Sequence, residues 1–130
     1  MVSVSTKKTK QGFTLIELLV VLAVIATLLS LVAPQYIGSL DKAKEAVLRE
    51  NLATLRSTID KYYADTGQYP DSLDDLVVRR YFRTVPEDPF TESRATWVVI
   101  APPEKIKGAV YDIKSAAPGL GRDGLAYQDW

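Results

Sequence analysis

Gly12-Phe13-Thr14-Leu15-Ile16-Glu17-Leu18-Leu19-Val20-Val21 begins an apolar run that lasts to Ala33 and is interrupted, after Glu17, only by Thr27 and Ser30. A helix of about twenty apolar residues spans a hydrocarbon core roughly 30 Å thick, so this stretch predicts one membrane-spanning segment. Residues 1–12 are polar and carry Lys7, Lys8 and Lys10 with no acid. The positive-inside rule then keeps this end in the cytoplasm and sends residues 35–130 across. A cleaved secretory signal fits poorly, because a cut after Ala33 would leave Leu31 at −3 and Pro34 at +1. The unusual residue is Glu17, an acid just inside the apolar run. An acid in lipid costs free energy, so by default it marks function.

The rest of the composition narrows the chemistry. The chain has 130 residues, enough for one domain. Lys and Arg total 16 and Asp and Glu total 16, so no net field is available to hold a polyanion. With neither His nor Cys, thiol chemistry, disulfides, Ser-His-Asp triads and the usual zinc sites are excluded.

Lys10 to Val21, with Pro34 beyond, closely resembles the processing and methylation motif of type IV prepilins and type II secretion pseudopilins. The resemblance implies cleavage between Gly12 and Phe13 by a membrane prepilin peptidase on the cytoplasmic side, and N-methylation of Phe13. It also implies a role for Phe13, Glu17 and Pro34 in assembly. Cleavage creates a cationic amine on Phe13, and a bundle of parallel helices can set that amine beside Glu17 of a neighbouring copy. In a lone subunit this reading leaves Glu17 protonated or unpaired.

Past the apolar run the helical period continues through Leu40, Ala43, Val47, Leu48, Leu52, Leu55, Ile59 and Tyr62. The charged residues fall on the other faces, where Glu45 with Arg49 and Arg56 with Asp60 are spaced for i,i+4 pairs. One long helix is predicted from about Phe13 to Ala64, with a kink or melted stretch between about Ser30 and Gly38 caused by Pro34. Gly67 suits a left-handed cap. Asp71 or Ser72 can then start a short helix that turns Leu73, Leu76 and Val77 inward. Residues 95–101 and 108–114 read as an antiparallel hairpin, the second alternating Ala109, Tyr111 and Ile113 on one face, with a short third strand beside it. The fold class is α+β and pilin-like: a long N-terminal helix against a small antiparallel sheet. The segments are a cleaved leader, 1–12, a transmembrane and polymerisation segment, 13–34, and a periplasmic head, 35–130.

Tyr63 to Pro70, Val85 to Phe90 and Tyr111 to Ser115 resemble the major pseudopilins, the pseudopilin G family, of type II secretion systems. Many type IVa pilins close a C-terminal loop with a disulfide, which this chain cannot form. Pseudopilin G proteins commonly use calcium there. Asp112, Ser115, Asp123 and Asp129 are the candidate oxygen donors, with Gly119, Gly121 and Gly124 letting the loop curl. Against calcium, Asp123-Gly124 is an ordinary turn pair, and Ala116-Ala117-Pro118 replaces the expected glycine and acid. Asp88 reads as a loop cap, the head tyrosines as core cover, and Arg79, Arg80 and Arg83 as a solvated face, which makes nucleic acid an unfavoured partner.

The resemblance implies a non-enzymatic subunit of a short filament that grows from the inner membrane and pushes folded proteins outward. Its expected partners are further copies of the chain, minor pseudopilins, prepilin peptidase, an assembly ATPase, a platform protein and a secretin. A type IV pilus subunit for adhesion, motility or DNA uptake is the alternative within the superfamily. A bitopic anchor carrying a periplasmic binding domain is the alternative outside it.

Overall fold

The computed structural model describes residues 3–5, 11–103 and 105–130. The leader lysines Lys7, Lys8 and Lys10 lie outside the described residues. Helix α1 spans Leu15–Thr66, α2 spans Leu73–Val78, strands β1 and β2 span Val98–Ile100 and Asp112–Lys114, and a 3-10 turn covers Tyr127–Asp129. The chain divides into two compact units, Met1–Gly38 and Ser39–Trp130. The α+β assignment therefore holds, with a two-stranded antiparallel sheet in register Val98↔Lys114, Val99↔Ile113 and Ile100↔Asp112.

In the first unit, every large apolar side chain from Phe13 to Ile37 is between 47% and 90% exposed. Among the described residues of the unit nothing covers these side chains, as expected of a surface made for lipid or for neighbouring helices. The α1 helix is long and apolar enough to cross a membrane by length and composition. It also runs unbroken through Pro34, so the melted stretch expected between Ser30 and Gly38 is absent. Proline removes one backbone donor and crowds the turn before it. The helical bonds on either side keep the turn closed.

In the second unit, the core is built on Leu48, Leu52, Leu55, Ile59 and Tyr62 of α1, covered by Leu76 of α2, Val85, Trp97, Val110, Ile113, Ala117 and Tyr127. The expected stripe is thus correct from Leu48 onward and wrong before it. Leu40, Ala43 and Val47 are exposed, and Glu45 is buried in their place. Counting back three from Leu48 continues the 3.6-residue period to Glu45. The end of α1 is as read, with Gly67 at φ +75° donating its N–H to the Tyr63 carbonyl at 2.8 Å. Ser72 caps α2 by accepting from the Asp75 N–H at 3.3 Å.

The hairpin is shorter than expected, and there is no third strand among the described residues; Asp88↔Ser93 and Leu120↔Ala126 form only isolated bridges. The amides of Ala109 and Val110 both donate to the Pro70 carbonyl, at 3.1 and 2.9 Å, so half of the second run binds the α1–α2 connection instead of β1. This also corrects the facing. Val110 and Ile113 are buried, whereas Ala109 and Tyr111 are exposed.

Candidate functional site

Thr14 immediately precedes α1 and Glu17 lies three residues on, the spacing of a capping box. The Thr14 hydroxyl accepts the Glu17 N–H at 3.2 Å, and Glu17 Oε2 accepts the Thr14 N–H at 3.1 Å. Two amides that the helix start leaves without partners are thereby satisfied. Glu17 is therefore not unpartnered in the lone chain. Sequence reasoning missed the box, although Thr-x-x-Glu was legible at positions 14–17. Gly12 and Phe13 lie just before the helix, Phe13 90% exposed, and among the described residues, chain neighbours aside, no atom stands within 4 Å of where a Cβ on Gly12 would sit. Both residues of the junction are exposed.

The second constellation joins α1 to the C-terminal tail. Neither expected i,i+4 pair forms, because both arginines reach across to the tail. Arg49 binds Asp123 Oδ2 at 3.0 Å and its guanidinium carbon lies 4.1 Å from the centre of the Trp130 ring. Arg56 Nε binds Asp112 Oδ1 at 2.9 Å, while its Nη2 donates to the Ile113 carbonyl at 2.9 Å and the Trp130 main-chain oxygen at 2.7 Å. Buried Glu45 accepts from the Arg122 amide at 3.0 Å and the Tyr127 hydroxyl at 2.9 Å through Oε1. Burial, and then this bond to Glu45, push the Tyr127 phenol up to about 12.

The candidate calcium donors do not converge. Asp112 holds Arg56 and its neighbour's amide, Ile113 N at 2.7 Å; Asp123 holds Arg49 and, through Oδ1, the Leu125 amide at 3.0 Å. Ser115 is buried, donating to Asp88 Oδ2 and accepting from the Ala117 amide at 3.0 Å. Asp129 is exposed. Among the described residues no three carboxylates gather in a way that could hold a metal ion. These side chains do not fit calcium, whose six to eight oxygens must face one centre. Asp88 serves as the expected loop cap, its Oδ1 accepting the Phe90 amide at 2.9 Å. The tyrosines pack, as in the Tyr62–Tyr81 edge contact at 5.4 Å and the Tyr63–Tyr69 stack at 4.5 Å. Arg79 lies over the Tyr62 ring, 5.4 Å from its centroid.

A small head built on one long helix, with a capped Thr-x-x-Glu start directly after Gly-Phe, defines a prepilin-type subunit. Residues 7–33 match the family model of the prokaryotic N-terminal methylation motif. The chain is 30% identical over 125 residues to type II secretion system core protein G of Escherichia coli K12, covering 84% of this chain and 82% of that one. It is 30% identical over 100 residues to the core protein G of Klebsiella michiganensis, covering 65% and 70%. With that of Xanthomonas campestris pv. campestris, identity is 34% over 68 residues, covering 52% and 48%. No solved structure matches the chain. The chain belongs to the type II secretion system core protein G family, the pseudopilins.

Proposed function

We propose that this chain is the structural subunit of a type II secretion pseudopilus, made as a prepilin and polymerised from the inner membrane to drive export of folded proteins. The observation that carries the reading is the continuity of the methylation motif, residues 7–33, with a helix that runs on to Thr66 beneath the core of the second unit. The chain acts by assembling and not by catalysis. Lys7, Lys8 and Lys10 hold the leader in the cytoplasm, and the unit from Ser39 onward lies in the periplasm. Prepilin peptidase cuts between Gly12 and Phe13 and the new amine is methylated. Assembly ATPase, platform protein, minor pseudopilins and secretin supply the rest of the machine.

Glu17 has a part in assembly that its capping bond does not prevent. Oε2 is given to the Thr14 amide, and a carboxylate has a second oxygen with its own lone pairs. That oxygen can meet the Phe13 amine of a neighbouring copy, and Pro34 marks the turn with a backbone bond missing where packed helices can adjust.

Intact-mass measurement tests the first step. The mature chain begins at methylated Phe13, and Gly12→Val leaves the full-length precursor in the membrane. Mature protein that keeps its leader would overturn the processing step. If processed chains never cross-link to one another, the bitopic-anchor reading takes the place of the filament.

A further inference from the structure

We propose that the C-terminal tail, residues 112–130, is locked to α1 by the helix's own cations, with Arg56 and Arg49 doing the work that the resemblance assigns to calcium. The proposal does not depend on the pseudopilus reading, because it concerns only what orders the tail.

Arg56 gathers both ends of the tail at once. It binds the Asp112 carboxylate and the Ile113 carbonyl at one end of this segment, and the Trp130 main-chain oxygen at the other. One carboxylate and two main-chain oxygens around a single cation are the kind of set that calcium collects. Here the cation is a planar guanidinium whose donors point in fixed directions. Seven residues earlier, two helical turns away on the same face, Arg49 neutralises Asp123 and covers the Trp130 ring. One turn before that, Glu45 takes the Arg122 amide and the Tyr127 hydroxyl, fixing the middle of the tail.

Three further features agree. Ala117, in the segment that departs from the family's glycine and acid, is fully buried in the core, so apolar packing holds that point. Gly121 has no room for a side chain, since a Cβ there would lie 2.5 Å from Trp130 Cζ2 and 2.8 Å from Asp123 Oδ1. A calcium ion at Asp123 would have to displace the Arg49 guanidinium or sit against it, like charge beside like charge. A cation tethered on α1 is present at a fixed effective concentration in every copy. Tail order therefore does not depend on ion supply.

The test uses the full chain in detergent micelles, with thermal unfolding and the rate of tryptic cleavage after Arg122 as readouts. In the parent, both are expected to be the same in millimolar calcium and in chelator. Arg56→Gln should speed cleavage after Arg122 about tenfold or more, because tail opening no longer breaks three bonds to a charged group. Arg56→Lys, which keeps the charge but not the fork, should recover only part of the protection. Should Arg56→Gln fail to fold, Arg49→Gln removes the exposed half of the clamp and should give a smaller acceleration. The proposal is overturned if calcium raises the parent's melting temperature or slows cleavage. It is equally overturned if the arginine variants, folded, are cleaved no faster than the parent.

Discussion

At the scale of single residues, Thr14 and Glu17 cap the start of α1, and substitution can separate that cap from the assembly role proposed for Glu17. Glu17→Gln keeps an oxygen acceptor for the Thr14 amide but removes the charge. The helix start should stay ordered, and cross-linking between neighbouring N-terminal helices should fall sharply. Thr14→Ala removes the hydroxyl that accepts the Glu17 amide and should cost the first turn about 1 kcal/mol. Hydrogen exchange at residues 15–18 should quicken while cross-linking largely survives. Equal cross-linking in both variants would remove the charge from the assembly step. Tyr127 gives a second residue-level test. Its phenol is raised in the folded chain to about 12, above the usual tyrosine value near 10. Folding then favours the protonated phenol, so this stabilisation is complete below about pH 10 and is lost as pH rises towards 12. Melting temperature should decline across that window, and Tyr127→Phe should flatten the decline.

At the scale of elements, α1 shows how far periodicity can be trusted. Leu55 is fully buried and Leu40 is 45% exposed. Leu55→Ala should therefore destabilise the folded chain by about 2–5 kcal/mol, whereas Leu40→Ala should change thermal unfolding little. A large loss at Leu40 would restore the stripe as first read. The apolar first half of α1, the Gly67 cap and the Ser72 cap of α2 were all legible, because each depends on residues within one or two turns. The length of β2 was not. Its amides at 109 and 110 were claimed by the Pro70 carbonyl, a partner some forty residues away that no local spacing announces.

At the scale of the whole molecule, the tail clamp and the assembly reading meet in one expectation. If arginines order the tail, cross-linked oligomers should form equally well in calcium and in chelator. Oligomers that vanish on chelation would place a metal requirement in assembly, whether in this chain or in a partner. Melting curves and cleavage rates of the isolated full chain would then say which.

The sequence by itself determined the apolar run to Ala33, the long helix and the core face from Leu48 to Tyr62. These follow from short-range rules: a period, a cap, a length matched to lipid. It also brought the acids and bases of the second unit into view but paired them wrongly. Glu45 with Arg49 and Arg56 with Asp60 satisfied helical spacing, yet the partners are Arg122 and Tyr127 for Glu45, Asp123 for Arg49 and Asp112 for Arg56. Only the tertiary structure could decide this. An exposed i,i+4 ion pair contributes a few tenths of a kcal/mol. Buried Glu45 and part-buried Arg56 must instead be satisfied by whatever donors, carboxylates and carbonyls the folded tail brings down upon them.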